Sequence, residues 1–232
     1  ENKKHLVAFL DILGFKKLID EHFSGKKTQS LALLKIAMKE AEQYAITYSK
    51  KHLKQYKIKF SFKQFSDCVC ISMPFKPDYT PLENFGAFIN VIRQYQLILL
   101  DHHILIRGGV SIGGHFENSN IIFSEGLVKS YKLESQNAIY PRIIIDKDLL
   151  DLIKNSLIEK PEEYKIFNQF YGKVLLKDWD DEVFISPFGM MSYLKDIADE
   201  FGESEFKKIF DDFSSTNKLE NEFLKDITNN ID

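Results

Sequence analysis

The sequence predicts an α+β fold, on three observations. Apolar runs of strand length alternate with longer stretches of helical spacing, the elements follow the order β, α, α, β, β, α, β, and the two central strands are joined by a short polar turn. The first element, residues 5–10 (HLVAFL), is an apolar run ended by Asp11 and followed by Gly14, after which Lys16, Lys17 and Asp20 fall among Leu18 and Ile19 as on a helix. Thr28 precedes Leu31, Leu34, Ala37, Ala41, Tyr44 and Ala45, whose three-and-four spacing predicts an amphipathic helix reaching about Lys50. Residues 56–63 alternate lysine with Ile58, Phe60 and Phe62, the chain turns at Phe65-Ser66-Asp67, and residues 68–73 return, which makes a hairpin with an aspartate at its tip. Beyond Pro74 and Pro77, Phe85, Phe88, Ile89, Ile92, Tyr95 and Leu99 give helical periodicity from Pro81 to about His102, and residues 104–112 read as a strand. A short strand near 120–123, a helix over 126–135, a strand at 142–145 and a short helix at 146–153 follow, then a hairpin of 173–176 with 182–185 turned at Asp180-Asp181. The order of the first seven elements is the ferredoxin-like βαββαβ arrangement, an antiparallel sheet with helices on one side, extended here by a second hairpin and a helical C-terminal tail. Residues 1–188 are read as one domain and 189–232 as an acidic helical extension.

Composition narrows the class. The 232 residues are 44% apolar and 28% charged, enough apolar material for one substantial core and unlike collagen, coiled coil or disordered chain. The longest stretch without Asp, Glu, Lys or Arg runs over 183–194, short of the roughly 20 residues a membrane helix needs. Asp11 and Asp20 stand where a signal peptide would be apolar, so a cytoplasmic protein without membrane attachment is expected. Cys68 and Cys70 are the only cysteines; two apart on a strand they point to one face, a poor geometry for a mutual disulfide, and a cysteine zinc site is excluded.

The net charge of −3 averages two unlike parts. Residues 178–232 hold fifteen acidic residues and five lysines, a net of −10, whereas residues 1–177, with 26 basic and 19 acidic residues, carry +7. A small phosphorylated substrate accounts for this modest excess better than a nucleic acid laid along a surface, and Phe60, Phe62 and Phe65 are assigned to the core rather than to RNA stacking.

Two aspartates carry the chemistry. In the ferredoxin-like order the first strand and the central hairpin are neighbours, so Asp11 at the end of one and Asp67 at the tip of the other converge. Paired carboxylates repel unless a cation sits between them, and two aspartates holding divalent cations is what phosphoryl transfer needs. The turn through Gly14 offers the backbone N–H groups of Leu13, Gly14 and Phe15 to phosphate oxygens at a helix N-terminus. Arg107 supplies a guanidinium fork for leaving phosphates, and the glycines at 108, 109, 113 and 114 allow close backbone approach along its strand.

Four blocks in register resemble the class III nucleotidyl cyclases. Phe9-Leu10-Asp11-Ile12-Leu13-Gly14-Phe15 is similar to their first metal motif and Lys63-Gln64-Phe65-Ser66-Asp67 to their second. Residues 105–114 (LIRGGVSIGG) resemble the strand whose arginine contacts the triphosphate, and 126–134, ending Tyr131-Lys132-Leu133-Glu134, the start of their catalytic helix. The resemblance implies that Asp11, Ile12 and Asp67 hold two Mg²⁺ or Mn²⁺ ions and that a homodimer shares its active sites. Arg107 and Lys132 then act catalytically, and Leu13, Gly14, Phe15 and Lys63 bind a nucleoside triphosphate. Lys63 stands at the base-selecting position; a lysine has only donors, so guanine's donor edge is disfavoured while adenine, cytosine and uracil remain. Where the family carries an Asn and, four residues later, an Arg, this chain has Val128 and Lys132. The combination resembles the Pycsar branch, which implies synthesis of cyclic CMP or cyclic UMP as an antiphage signal read by a separate effector protein. An adenylate cyclase and a catalytically silent cyclase-like regulatory module are the alternatives.

Overall fold

A computed structural model describes residues 3–27, 29–52, 59–158 and 160–189. Thr28, the start of the strand expected at 56–63, and the tail from residue 190 onward lie outside the described residues.

Strand β1 (Lys4–Ile12) is followed by helices α1 (Phe15–Phe23) and α2 (Ser30–His52), the hairpin β2 (Ser61–Phe65) and β3 (Cys68–Pro74), and helix α3 (Pro81–Asp101). Then come β4 (Ile106–Glu117), β5 (Ile122–Ser124), α4 (Glu125–Gln136), β6 (Ile143–Ile145), α5 (Lys147–Leu157), α6 (Pro161–Val174), β7 (Leu175–Lys177) and β8 (Val183–Ile185). The sheet order is β2-β3-β1-β4-β6-β8-β7, with β5 paired to β4, and its first four strands are the expected ferredoxin-like set. β1 is central and antiparallel to both neighbours, with Asp11 opposite Cys68 on one side and Arg107 on the other.

The period of two in β1 divides the molecule. Leu6, Ala8, Leu10 and Ile12 point into the core, where they join Val69, Ile71 and Met73 of β3, Phe85, Phe88, Ile92 and Leu99 of α3, and Leu34, Ala37 and Ala41 of α2. Phe60 and Phe62 stack on Phe88 and Tyr95 at 6.0 and 6.2 Å, as the core reading of these rings requires. Phe65 departs from that reading: it lies opposite Cys68 on the other face and is 51% exposed. α3 begins at a capping box, in which the Thr80 hydroxyl accepts from the Glu83 N–H (3.1 Å) and Glu83 accepts from the Thr80 N–H (2.8 Å), with Pro81 supplying the first-turn φ.

Helix α4, which follows the seven elements of the ferredoxin-like set, packs on the face of β1 and β4 opposite to that of α2 and α3. The reason is the glycine pattern of β4. A β-carbon on Gly109 would lie 2.4 Å from the Ser130 carbonyl oxygen and one on Gly113 2.6 Å from the Gly126 nitrogen, so only bare backbone lets α4 settle. The Ser130 hydroxyl then donates to the Val7 carbonyl and the Ser111 hydroxyl to the Gly126 carbonyl, both at 2.8 Å. Helix α6 was not anticipated. At the far end of the sheet, buried Arg142 donates to Asp178 (2.5 Å), to Asp180 and to the Asn137 carbonyl (3.0 Å), fastening the β7–β8 turn. No helix among the described residues is long and apolar enough to cross a membrane.

Candidate active site

The site forms on the sheet face that α4 only partly covers, at the C-terminal end of β1. Asp11 is the last residue of β1 to point to this face, and the hairpin turn brings Asp67 beside it, held by the Ile12 N–H donating to the Asp67 carbonyl at 3.0 Å. Ligating atoms of Asp11, Asp67 and Cys68 all lie within 4.8 Å of one another, all three residues half-buried. The predicted convergence of the two aspartates is therefore present in the fold. It depends on Ser66, which turns the hairpin at φ 55°, a left-handed conformation at the tip.

Arg107 faces the same cluster from β4. Its Nε–H donates to Asp11 Oδ2 at 3.2 Å, and Glu134 Oε1 lies 2.7 Å from the same nitrogen. Its terminal nitrogens make no hydrogen bond among the described residues, which leaves the fork for a ligand. Glu134 is 4% exposed, and α4 delivers it: Gly126, Ser130 and Glu134 recur every four residues along the buried stripe of that helix. Burial pushes the Glu134 carboxyl up, Arg107 opposes this, and Asp11 and Asp67 push in the same direction as burial, for a net rise. Cys68 Sγ sits 3.6 Å from Asp11 Oδ1 and 3.7 Å from Asp67 Oδ1. Burial first, then these two carboxylates, push its thiol up to about 12, so beside the two carboxylates alone it is a protonated donor.

The donor set suits a hard divalent cation. Asp11 and Glu134 share one guanidinium and Asp67 stands beside Asp11, so the cluster holds more carboxylates than cations, and the carboxylate oxygens of Asp11 and Asp67 are the donors Mg²⁺ and Mn²⁺ prefer. The Ile12 side chain is in the core, so its carbonyl oxygen is the one atom it can offer a metal.

The predicted phosphate seat needs a correction. The Leu13 N–H donates to the Leu105 carbonyl at 2.9 Å and is not available, because this bond continues the β1–β4 ladder beyond the strand end. Gly14, at φ 76°, caps α1 without a side-chain cap, and the N–H groups of Gly14 and Phe15 make no hydrogen bond among the described residues. The first turn of α1 holds no acidic residue, which suits an anion there.

Two other predicted residues are not brought to the cluster. Lys63 is half-buried on β2 opposite Cys70, on the same face, where it interacts electrostatically with Glu117. Glu117 itself is pushed up by burial but held low by hydrogen bonds from Ser61 and His115. Lys132 is exposed, as is Val128 at 54%, and its ammonium group makes no hydrogen bond or ion pair among the described residues; the neighbouring Tyr131 packs edge-on against Phe9. Glu134 and Cys68 are the site residues to which sequence reasoning assigned no role. The four-residue recurrence of Gly126, Ser130 and Glu134 was the available signal for the first.

No family model matches the chain. A search of the curated proteins likewise finds no match. Solved structures with a similar backbone include the guanylyl cyclase Cya2 (13% identity, TM-score 0.42), over 65% of this chain and 78% of that one. An adenylate/guanylate cyclase/hydrolase from Silicibacter pomeroyi is similar at 14% identity and TM-score 0.46, over 80% of this chain and 95% of that one. A class III adenylyl cyclase-like ATP-binding protein from Pseudomonas aeruginosa is similar at 11% identity and TM-score 0.45, over 65% of this chain but only 34% of that one.

Proposed function

We propose that this chain is a divalent-metal-dependent nucleotide cyclase that converts CTP or UTP to the 3′,5′-cyclic monophosphate and pyrophosphate, a second-messenger synthase of bacterial antiphage defence. The observation that carries the reading is the convergence of Asp11 and Asp67 beside Arg107 at one end of the sheet.

In this reading Asp11 and Asp67, with the Ile12 carbonyl, hold Mg²⁺ or Mn²⁺. Bound there, the cations neutralise phosphate charge and acidify a ribose 3′-hydroxyl. The Gly14 and Phe15 N–H groups donate to phosphate oxygens, orienting the chain of phosphates against α1. The Arg107 fork binds the β- and γ-phosphates and stabilises the charge that gathers on them as the bond from the α-phosphorus to the bridging oxygen breaks. The 3′-oxygen forms the new bond to that phosphorus and its proton passes to solvent. Lys132, exposed on the outer side of α4, serves the site of a second subunit in a homodimer, where it meets the pentavalent phosphorus with charge but without bidentate geometry. Lys63, with donors only, disfavours guanine. Residues 1–188 form the catalytic unit, the enzyme works in the cytoplasm, and a separate effector reads the cyclic product.

Incubation with equal amounts of the four ribonucleoside triphosphates and Mn²⁺ in one tube tests the substrate. CTP or UTP is depleted first, with one pyrophosphate released per cyclic product. Selective loss of ATP would replace the pyrimidine by adenine, and linear monophosphate in place of cyclic product would overturn the reaction.

A further inference from the structure

Asp11 has two claimants. Its Oδ1 faces Cys68 and the cluster with Asp67, and its Oδ2 accepts the Nε–H of Arg107 at 3.2 Å. A divalent cation on the two aspartates draws charge from the carboxylate that holds the arginine, so cation and guanidinium compete unless a second acceptor stands ready. Glu134 is that acceptor. Its Oε1 lies 2.7 Å from Arg107 Nε yet receives no hydrogen bond, because the single Nε hydrogen points to Asp11. A buried carboxylate oxygen without a hydrogen bond is expensive and is rare in native structures. Its place is set by backbone contacts: α4 lies on the glycines of β4, and Ser130, one turn before Glu134, is tied to the Val7 carbonyl at 2.8 Å. A small reorientation of the guanidinium transfers the Nε–H from Asp11 to Glu134 without moving Arg107 out of the site.

We propose that Glu134 is a positioning residue that takes over Arg107 when a divalent cation occupies Asp11, so that metal and arginine stand side by side instead of excluding one another. This rests on the reading of Asp11 and Asp67 as metal-holding residues.

The test is a double-mutant cycle on Mn²⁺ affinity, measured by calorimetry or electron paramagnetic resonance on the full chain without nucleotide. Glu134→Gln leaves Arg107 with Asp11 alone and weakens Mn²⁺ binding by about tenfold, while Arg107→Gln removes the competitor and tightens it by about tenfold. In the Arg107→Gln background no guanidinium is left to hold, and the same Glu134→Gln step costs at most about twofold. Glu134→Asp keeps the charge but withdraws it by one methylene, and its affinity falls between wild type and Glu134→Gln; this variant carries the test if Glu134→Gln does not fold. An equal loss from Glu134→Gln in both backgrounds would make Glu134 a direct metal ligand and overturn the proposal, as would no loss in either. Failure of the wild-type chain to bind Mn²⁺ would overturn the metal reading itself, an outcome separate from absence of coupling in a chain that binds.

Discussion

The seat of α4 on bare backbone makes Gly109→Ala the most informative single substitution in the fold. The added methyl would stand 2.4 Å from the Ser130 carbonyl oxygen and 2.6 Å from Leu133 Cβ, whereas ordinary contact begins at 3.4 Å, so α4 must lift by about 1.0 Å. Both neighbours are fixed, one by being backbone and the other by being the root of a side chain, so no rotamer change relieves the clash. Overpacking of this kind costs about 1–3 kcal/mol. Lifting the helix also stretches the Ser130 bond to the Val7 carbonyl, which adds about 1 kcal/mol. A total near 3 kcal/mol lowers Tm by about 10 °C in a chain of this length. Glu134 is one helical turn beyond Ser130, so its 2.7 Å contact with Arg107 opens at the same time. The assay is a thermal melt followed by a Mn²⁺ titration well below the transition. A melt within 2 °C of wild type together with unchanged Mn²⁺ affinity would refute the argument that glycine at this place seats the helix and, through it, Glu134.

Other expectations follow from single sites. Gly172 is an exposed residue of α6 whose added methyl would meet nothing within 4 Å, so Gly172→Ala stabilises by about 0.5–1 kcal/mol, visible as a small rise in Tm. Arg142→Ala strips the β7–β8 turn of its cation, leaves Asp178 and Asp180 facing one another, and costs about 2–3 kcal/mol in denaturant unfolding. Cys68 and Cys70 are both pushed up to about 12, by burial and then by nearby carboxylates. Their thiols stay protonated at pH 8 and react with iodoacetamide about a thousandfold more slowly than a free cysteine, a rate that mass spectrometry of the modified chain measures directly.

The sheet and the meeting of Asp11 with Asp67 were legible because both follow from order and period. Alternation fixes which side of β1 carries Asp11, and the βαββαβ order makes the central hairpin its neighbour, so two residues 56 apart in sequence become adjacent without any knowledge of packing. The face chosen by α4 was not legible in that way. Its helical spacing says which residues face a sheet, but the side of the sheet is decided by whether a strand offers a surface flat enough to approach, and the paired glycines of β4 by themselves say only that some backbone comes close. Glu134 was lost with it, since a glutamate on a helix is ordinarily solvated and becomes part of a site only once the helix is placed. The availability of the Leu13 N–H was equally out of reach, because a ladder that continues one residue past the strand depends on the position of Leu105. Helix α6 was a different kind of omission. Pro161 with Glu162 and Glu163 is a start signal, and Tyr164, Phe167, Tyr171 and Val174 carry the period; Phe167 and Tyr171 stack at 5.0 Å against the core.

The central claim is that Asp11 and Asp67 together make a cyclising site. Its most direct measurement is the product formed from α-³²P-labelled CTP and UTP with Mn²⁺ by the wild-type chain and by Asp67→Ala. The wild type forms 3′,5′-cyclic nucleotide and pyrophosphate from at least one of the two, and Asp67→Ala, whose missing carboxylate leaves Asp11 without its partner, loses at least a hundredfold. No cyclic product from any triphosphate, or full activity in Asp67→Ala, would contradict the claim.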